Sequence, residues 1–303
     1  MRKLLLVLMA AVVASAAARF QDAPAAVLVK VQGEVQVKLG NAPPLAAAVG
    51  TRLGVGDQVL PGAGAEAVVV HRTGRTQVVR EATTIEAAEA GAQGDMFTRT
   101  VRVFAQAASS DARQTGNRQG MIRPLPGGPA PIAPRNGLKV QSARPTLTWF
   151  SVPGASAYRV QIRQEGGTPK RFEAGSDTVF TLPADGELTR GATYHWTVAP
   201  EGGRPVMEQT FVVASPEELK QVEGALAAIE GMGLDPAEDG RLLVAVVYTD
   251  LGLLYEAEQA IVGLERAGDV SADVFLLKGE VLDALGHFDE ARAAFDKADG
   301  MLR

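Results

Sequence analysis

The sequence predicts a multidomain chain that is β first and α last: a small β module, a β-sandwich, and a C-terminal set of helical repeats. Three observations carry this. Apolar and polar residues alternate from Val27 to Leu39, and short apolar pieces then arrive between closely spaced glycines. Alternation returns between Thr146 and Val213 with regularly spaced turns. After Ser215 the period becomes helical, and a motif recurs 34 residues on. With 303 residues, 46% hydrophobic and 21% charged, the chain is globular rather than disordered and long enough for two or three domains.

The N-terminus reads as an export signal over residues 1–18. Arg2 and Lys3 give the positive start, and Leu4 to Val13 gives an apolar run. Ala14-Ser15-Ala16 or Ala16-Ala17-Ala18 gives a small-residue cleavage site. Cleavage is expected after Ala18, with an uncleaved anchor as the alternative. No later segment approaches the roughly 18 uninterrupted apolar residues of a membrane helix, so no integral membrane span is expected in the mature chain. The chain has no cysteine, which excludes disulfides, thiolate metal sites and a cysteine-linked lipid anchor.

Charge is divided unevenly. Residues 215–303 hold 7 Lys or Arg against 19 Asp or Glu, and residues 1–214 hold 23 against 16. The C-terminal part is strongly acidic and the remainder basic, which predicts two surfaces of opposite electrostatic preference.

The first β module is expected over residues 26–90. Val27, Val29 and Val31 point one way, and after a glycine corner at Gly33 the same parity resumes at Val35, Val37 and Leu39. Ala67 then leads into the β-branched run Val68 to Val70, and a hairpin follows at Thr73-Gly74 with Thr76 to Val79 as its return strand. Gly33-x-Val35, Gly50-Thr51-Arg52-Leu53, Gly56-Asp57-x-Val59, Gly62-x-Gly64 and Ala67 together resemble the FecR domain. That resemblance implies a small β-rich periplasmic module. The family's namesake is a membrane-spanning regulator passing an iron-siderophore signal to a sigma factor. The resemblance is carried here for fold and location only. Gly62-Ala-Gly64-Ala-Glu-Ala67 also fits a GxGxxA dinucleotide fingerprint, which works only when a helix follows the glycines. A β-branched run follows instead, so no nucleotide cofactor is expected. Asp57 reads as a turn residue whose carboxylate caps nearby amides.

Residues 91–135 read as a Pro/Gly-rich linker with a short helix near Phe97 to Ala108. Its local excess of arginine leaves open an attraction to an anionic envelope polymer. The sandwich is expected over 136–214, with strands at Thr146 to Phe150, Tyr158 to Arg163, Thr178 to Leu182, Tyr194 to Val198 and Gln209 to Val213. Pro145-x-Leu147-x-Trp149, Pro153-Gly154-Ala155-x-x-Tyr158-Arg159-Val160 and Gly191-x-x-Tyr194-x-Trp196-x-Val198 resemble a fibronectin type III domain. Trp149 and Trp196 are accordingly expected in its core rather than on a sugar-stacking platform.

A helical domain is expected over 215–303. Ser215-Pro216-Glu217-Glu218 supplies an N-cap, a proline at N1 and a capping-box Glu, and Asp235-Pro236-Ala237-Glu238 repeats that pattern. Leu251-Gly252-Leu-Leu254-Tyr-Glu256-Ala257 recurs as Leu285-Gly286-His-Phe288-Asp-Glu290-Ala291, an arrangement that resembles tetratricopeptide repeats. The resemblance implies two helical hairpins with an inner groove near residues 239–251 and 273–285, and an apolar edge at the end of the chain.

Catalytic motifs are missing from the sequence. His71, His195 and His287 fall in three different expected domains, with no HxxxH pair, calcium loop, nucleophile elbow or phosphate loop. No catalytic residue, metal site or cofactor is expected, nor is nucleic acid as a partner. The expected function is a non-enzymatic adaptor of a Gram-negative-type envelope, located in the periplasm. It would hold a protein partner with a basic segment and touch envelope polymer through its β modules, with a homodimer as a further possibility. The alternative is a soluble periplasmic sensor acting through a membrane partner. N-terminal sequencing of the protein from its host should find a chain beginning at or near Arg19; Met1 retained on cytosolic protein would contradict the export signal.

Overall fold

The computed structural model describes residues 24–87, 94–109, 131–134, 137–203, 208–268 and 270–302. The expected signal segment with Ala18, and the linker residues 110–130, lie outside the described residues. The chain divides into two compact units, the first ending at Arg102 apart from a short return near Ser271, and the second beginning at Val103.

The first unit is built from eight short strands in two four-stranded sheets, ordered β4-β1-β6-β7 and β3-β2-β5-β8. Strand β1 is Ala26–Gln32, β2 Val35–Lys38, β3 Leu45–Ala46, β4 Arg52–Leu53, β5 Gln58–Pro61, β6 Glu66–His71, β7 Thr76–Val79 and β8 Thr83–Thr84. Both sheets contribute to one core that includes Leu28, Val35, Val37, Leu53, Val59, Val69 and Ile85. The hairpin expected at Thr73-Gly74 is present as the antiparallel β6–β7 pair.

The face of β1 differs from the alternation read off the sequence. Ala26 and Leu28, not Val27 and Val29, enter this core, although all four are buried. The β1–β6 register shifts between Leu28 and Lys30. This bulge inserts one residue and reverses the parity, which brings Val31 back against the same core as Leu28. Chain reversal after β1 depends on Gly33, whose φ of 79° suits glycine and whose added Cβ would lie 3.0 Å from Ala65 Cβ.

Asp57 is buried. Its Oδ1 accepts from the Gly40 N–H at 2.7 Å and its Oδ2 from the Gly54 N–H at 2.7 Å, so one carboxylate joins two separate turns. The glycines at 62 and 64 lead into strand β6, with no helix after them.

Helix α1, Asp95–Ser109, is longer at both ends than expected. Its buried residues Met96, Phe97, Thr100, Val103, Phe104 and Ala107 form one stripe at helical spacing. The buried Thr100 hydroxyl is satisfied by donating to the Met96 carbonyl at 2.8 Å.

In the second unit a five-stranded sheet ordered β10-β16-β15-β12-β13 and a three-stranded sheet ordered β14-β11-β9 enclose one core. The strands are β9 Pro131–Ala133, β10 Leu138–Val140, β11 Thr146–Trp149, β12 Tyr158–Gln164, β13 Lys170–Gly175, β14 Val179–Thr181, β15 Thr193–Pro200 and β16 Gln209–Val213. Trp149 and Trp196 are core residues, each 1% exposed. Trp149 meets Tyr158 edge-on at 5.5 Å, and the Trp196 indole N–H donates to the Pro134 carbonyl at 2.7 Å. Strand β9 pairs with β11, so the sheet structure already includes proline-rich residues read from the sequence as linker.

Five helices follow: α2 Pro216–Gly231, α3 Arg241–Asp250, α4 Leu254–Ala267, α5 Ala272–Leu285 and α6 Phe288–Leu302. The capping box at Ser215 and Glu218 is formed. At Asp235 the structure differs from the second expected helix start. The Asp235 side chain accepts from the Ala237 N–H at 2.8 Å and its carbonyl accepts from the Gly240 N–H at 2.7 Å. These bonds close a turn, and α3 begins only after Gly240. Glycine is required there because an added Cβ would lie 2.5 Å from Ile229 Cγ2.

The two helical hairpins repeat one another in detail. The Leu253 N–H donates to Tyr248 O and the His287 N–H to Leu282 O, each at 2.8 Å. Ala257 and Ala291 are both fully buried. Gly279 occupies the position equivalent to Ala245, and an added Cβ there would collide with the Phe295 ring.

Two substitutions test this account. Asp57→Ala strands two amide donors and should lower the urea-unfolding free energy of the first unit by about 2–4 kcal/mol, with Asp57→Asn costing less. Gly279→Ala should cost about 1–3 kcal/mol through overpacking; an unchanged unfolding midpoint would refute the α5–α6 contact.

Candidate functional site

The groove expected along α3 and α5 is not open. Six consecutive residues of α3, Leu242 to Val247, are buried, and in α5 only Ala284 is exposed. An apolar helix buried on every side has no free face for a partner. Helix α3 is therefore a core element, while Asp273, Lys278, Glu280 and Asp283 keep α5 half-buried.

An accessible cleft lies inside the second unit, where the sandwich meets the helices. It begins with β10, which runs parallel to β16 with Val140 opposite Val213. Val140 points into the sandwich core, while Lys139 reaches the helices. Its ammonium donates to Glu218 of the α2 capping box and, at 3.0 Å, to the carbonyl of Leu251 after α3. The ammonium complements the C-terminal dipole end of α3, and the Glu218 carboxylate that it pairs with complements the N-terminal end of α2.

One residue further, the Gln141 N–H donates to Glu256 Oε1 at 3.1 Å, and the Gln141 carbonyl accepts from the Arg190 guanidinium at 2.9 Å. Tyr255, beside Glu256 on α4, packs against the sandwich core. Leu219 packs against a smaller apolar cluster of Ala214, Val222 and Leu253. The resulting cleft has a volume of about 360 Å³ and is lined by Gln141, Ser142, Arg190, Leu219, Glu223 and Glu256.

The electrostatics of the cleft are unbalanced. Burial pushes the Glu256 carboxyl above its ordinary value, outweighing the hydrogen bond from Gln141. Its second oxygen, Oε2, is buried with no hydrogen-bond partner among the described residues. With Glu223 nearby and Leu219 as an apolar wall, the arrangement offers acceptors and a greasy flank to a lysine or arginine side chain.

A second polar cleft, of about 380 Å³, lies in the first unit and includes His71, Arg75, Gln77, Thr83, Thr84 and Glu86. His71 Nε2 is 2.7 Å from Gln77 Oε1. The other histidines are also beside acceptors: His195 Nδ1 lies 2.9 Å from Glu208 Oε1, and His287 lies among Glu258 and Glu290. The expected cleavage residue, Ala18, lies outside the described residues. Sequence reading missed Glu256 as a site residue because its partner Gln141 is distant in the chain. Only its place in the recurring motif singled it out.

No family model matches the chain, and no curated protein matches it in sequence. Among solved structures, a cell surface anchoring domain is 20% identical, with a TM-score of 0.21, covering 24% of this chain and 99% of that one. An Fn3-like protein from Clostridium thermocellum is 22% identical at a TM-score of 0.21, covering 29% and 92%. The FN1–FN3 domains of chicken CNTN1 are 11% identical at a TM-score of 0.24, covering 61% and 54%. Among the described residues no helix is long and apolar enough to cross a membrane.

A raised carboxyl pKa in the fold has a definite sign. The folded state binds the proton more tightly than the unfolded state, so the associated stability is fully present below the unfolded value and lost as pH rises through the folded one. Glu256→Gln keeps an oxygen for the Gln141 N–H and removes the buried charge. The variant should melt at a higher temperature than wild type at pH 8, with the difference fading toward pH 4. A lower melting temperature at pH 8 would show that the charge is already compensated.

Proposed function

We propose that this chain is a non-enzymatic, exported adaptor of a Gram-negative-type envelope, which seats a basic segment of a protein partner in the cleft between sandwich and helices. The observation that most supports this reading is that two carboxylate side chains, Glu223 and Glu256, line one cleft. An incoming ammonium or guanidinium would meet two carboxylates against one arginine, Arg190, in the lining. The acid excess over residues 215–303 would draw such a segment in from a distance.

The finer assignments belong to the same proposal. The first unit is read as a FecR-like module, the sandwich as fibronectin type III-like, and the hairpins repeating at 34 residues as a pair of tetratricopeptide repeats flanked by α2. Export to the periplasm follows from the N-terminal residues. The polar cleft around His71 and Arg75 is the surface proposed to touch envelope polymer. Absence of a cofactor and of nucleic acid among the partners completes the reading.

Crosslinking and affinity purification of the full chain from its host, at low and high salt, test the proposal. Screening lengths fall from about 10 Å at 0.1 M to about 3 Å at 1 M. A partner held by exposed charge should be captured at the lower salt, lost at the higher, and reduced several-fold by Glu223→Gln with Glu256→Gln. A salt-resistant homodimer with no captured protein would overturn it in favour of self-association near Phe288, Met301 and Leu302, which are exposed on α6.

A further inference from the structure

Beyond the cleft, the helical hairpins bring three potential metal ligands together. Glu258 lies on α4 in the first hairpin, His287 in the turn before α6 in the second, and Glu290 in the first turn of α6. One ligand atom from each lies within 4.8 Å of the other two. His287 is held on both sides by its backbone: its N–H donates to Leu282 O at 2.8 Å and its carbonyl accepts from the Ala291 N–H at 2.8 Å.

The side-chain geometry is that of ion-pair distances without hydrogen bonds. His287 Nδ1 lies 3.3 Å from Glu290 Oε2 and 3.8 Å from Glu258 Oε1, yet this nitrogen is buried and makes no hydrogen bond among the described residues. Charge-assisted hydrogen bonds draw such atoms to about 2.7–2.9 Å. Ligands about 2.0–2.1 Å from a tetrahedral ion stand about 3.3–3.4 Å apart, the spacing of His287 Nδ1 from Glu290 Oε2, with Glu258 Oε1 farther at 3.8 Å. Lys278, a cation that also acts on Glu258, is paired with Glu265.

We propose that Glu258, His287 and Glu290 form a binding site for a divalent transition-metal ion of the Zn²⁺ class, which clamps the two helical hairpins to one another. One imidazole nitrogen and two carboxylate oxygens suit a borderline cation, whereas Ca²⁺ and Mg²⁺ favour oxygen ligands alone. Glu290 is largely exposed, so a water can complete the coordination from that side. The site was invisible to a search for sequence-adjacent ligands because Glu258 and His287 come from different hairpins. It is independent of the docking reading, since none of its residues lines the cleft.

Titration calorimetry of ZnCl₂ into the untagged, chelator-treated full chain tests the proposal, together with thermal unfolding. Uptake should saturate at one equivalent and raise the melting temperature. Affinity should fall at least about tenfold in Glu258→Gln, and saturable uptake should vanish in His287→Ala. Far-UV circular dichroism checks that each variant folds; if His287→Ala loses helix, the more exposed Glu290→Gln carries the test, with weakened uptake expected. Failure of wild type to take up Zn²⁺ saturably would overturn the site. So would uptake unchanged in the folded variants, which would point instead to another pair such as His195 and Glu208.

Discussion

The second unit depends on the side chain of Lys139. Strand β10 is only three residues long, and its alternation sends Val140 into the sandwich while Lys139 bonds Glu218 and Leu251. The ammonium thereby fixes the start of α2 and the end of α3 against the sheet edge. Both partners of the Lys139–Glu218 pair are three-quarters buried, so removing the lysine would leave a carboxylate without its counter-charge, which is costlier than losing a surface pair. In the fold, burial works against the ionised Glu218 carboxyl, and the bonds from Lys139 and Ser215 outweigh it and lower its pKa. The parallel β10–β16 pairing and the cleft beside Gln141 adjoin this anchor.

The first unit reaches a comparable result with a different device. A cysteine-free chain cannot staple its loops covalently, and a module in which several strands are only two or four residues long has little ladder bonding with which to hold its turns. Asp57 supplies two charge-assisted acceptors to backbone donors in separate turns. Lys30, Glu66 and Arg80 form a more exposed network on the sheet, where solvent weakens the attraction.

Much of the architecture was legible in local pattern. The β6–β7 hairpin, the Ser215 capping box and the 34-residue recurrence all depend on residues near one another in sequence, and all appear in the fold. The misreadings share a different origin. The bulge at Val29 reverses the face of half a strand, which no alternation count can reveal because it arises from pairing with β6. Asp235-Pro236 carries the residues of a helix cap, but close packing of Gly240 on Ile229 turns the segment into a tight loop. The inner groove implied by the repeat resemblance meets a run of six buried apolar residues in α3, a filling set by tertiary packing rather than by local pattern. Neither Glu256 nor the Glu258–His287–Glu290 cluster could be assembled from neighbours, since each is made by elements far apart in the chain.

The burial of α3 also sets how separable the helical segment is. Helices whose outer faces are polar can be moved between proteins as self-contained cassettes, each carrying its own wet surface. A run of six enclosed apolar residues leaves no such surface, and Tyr255 on the next helix is seated against the sandwich core. Truncation near residue 215 would thus uncover Tyr255 and strip Lys139 of its partners Glu218 and Leu251, so the sandwich and its helices hold together as parts of one compact unit.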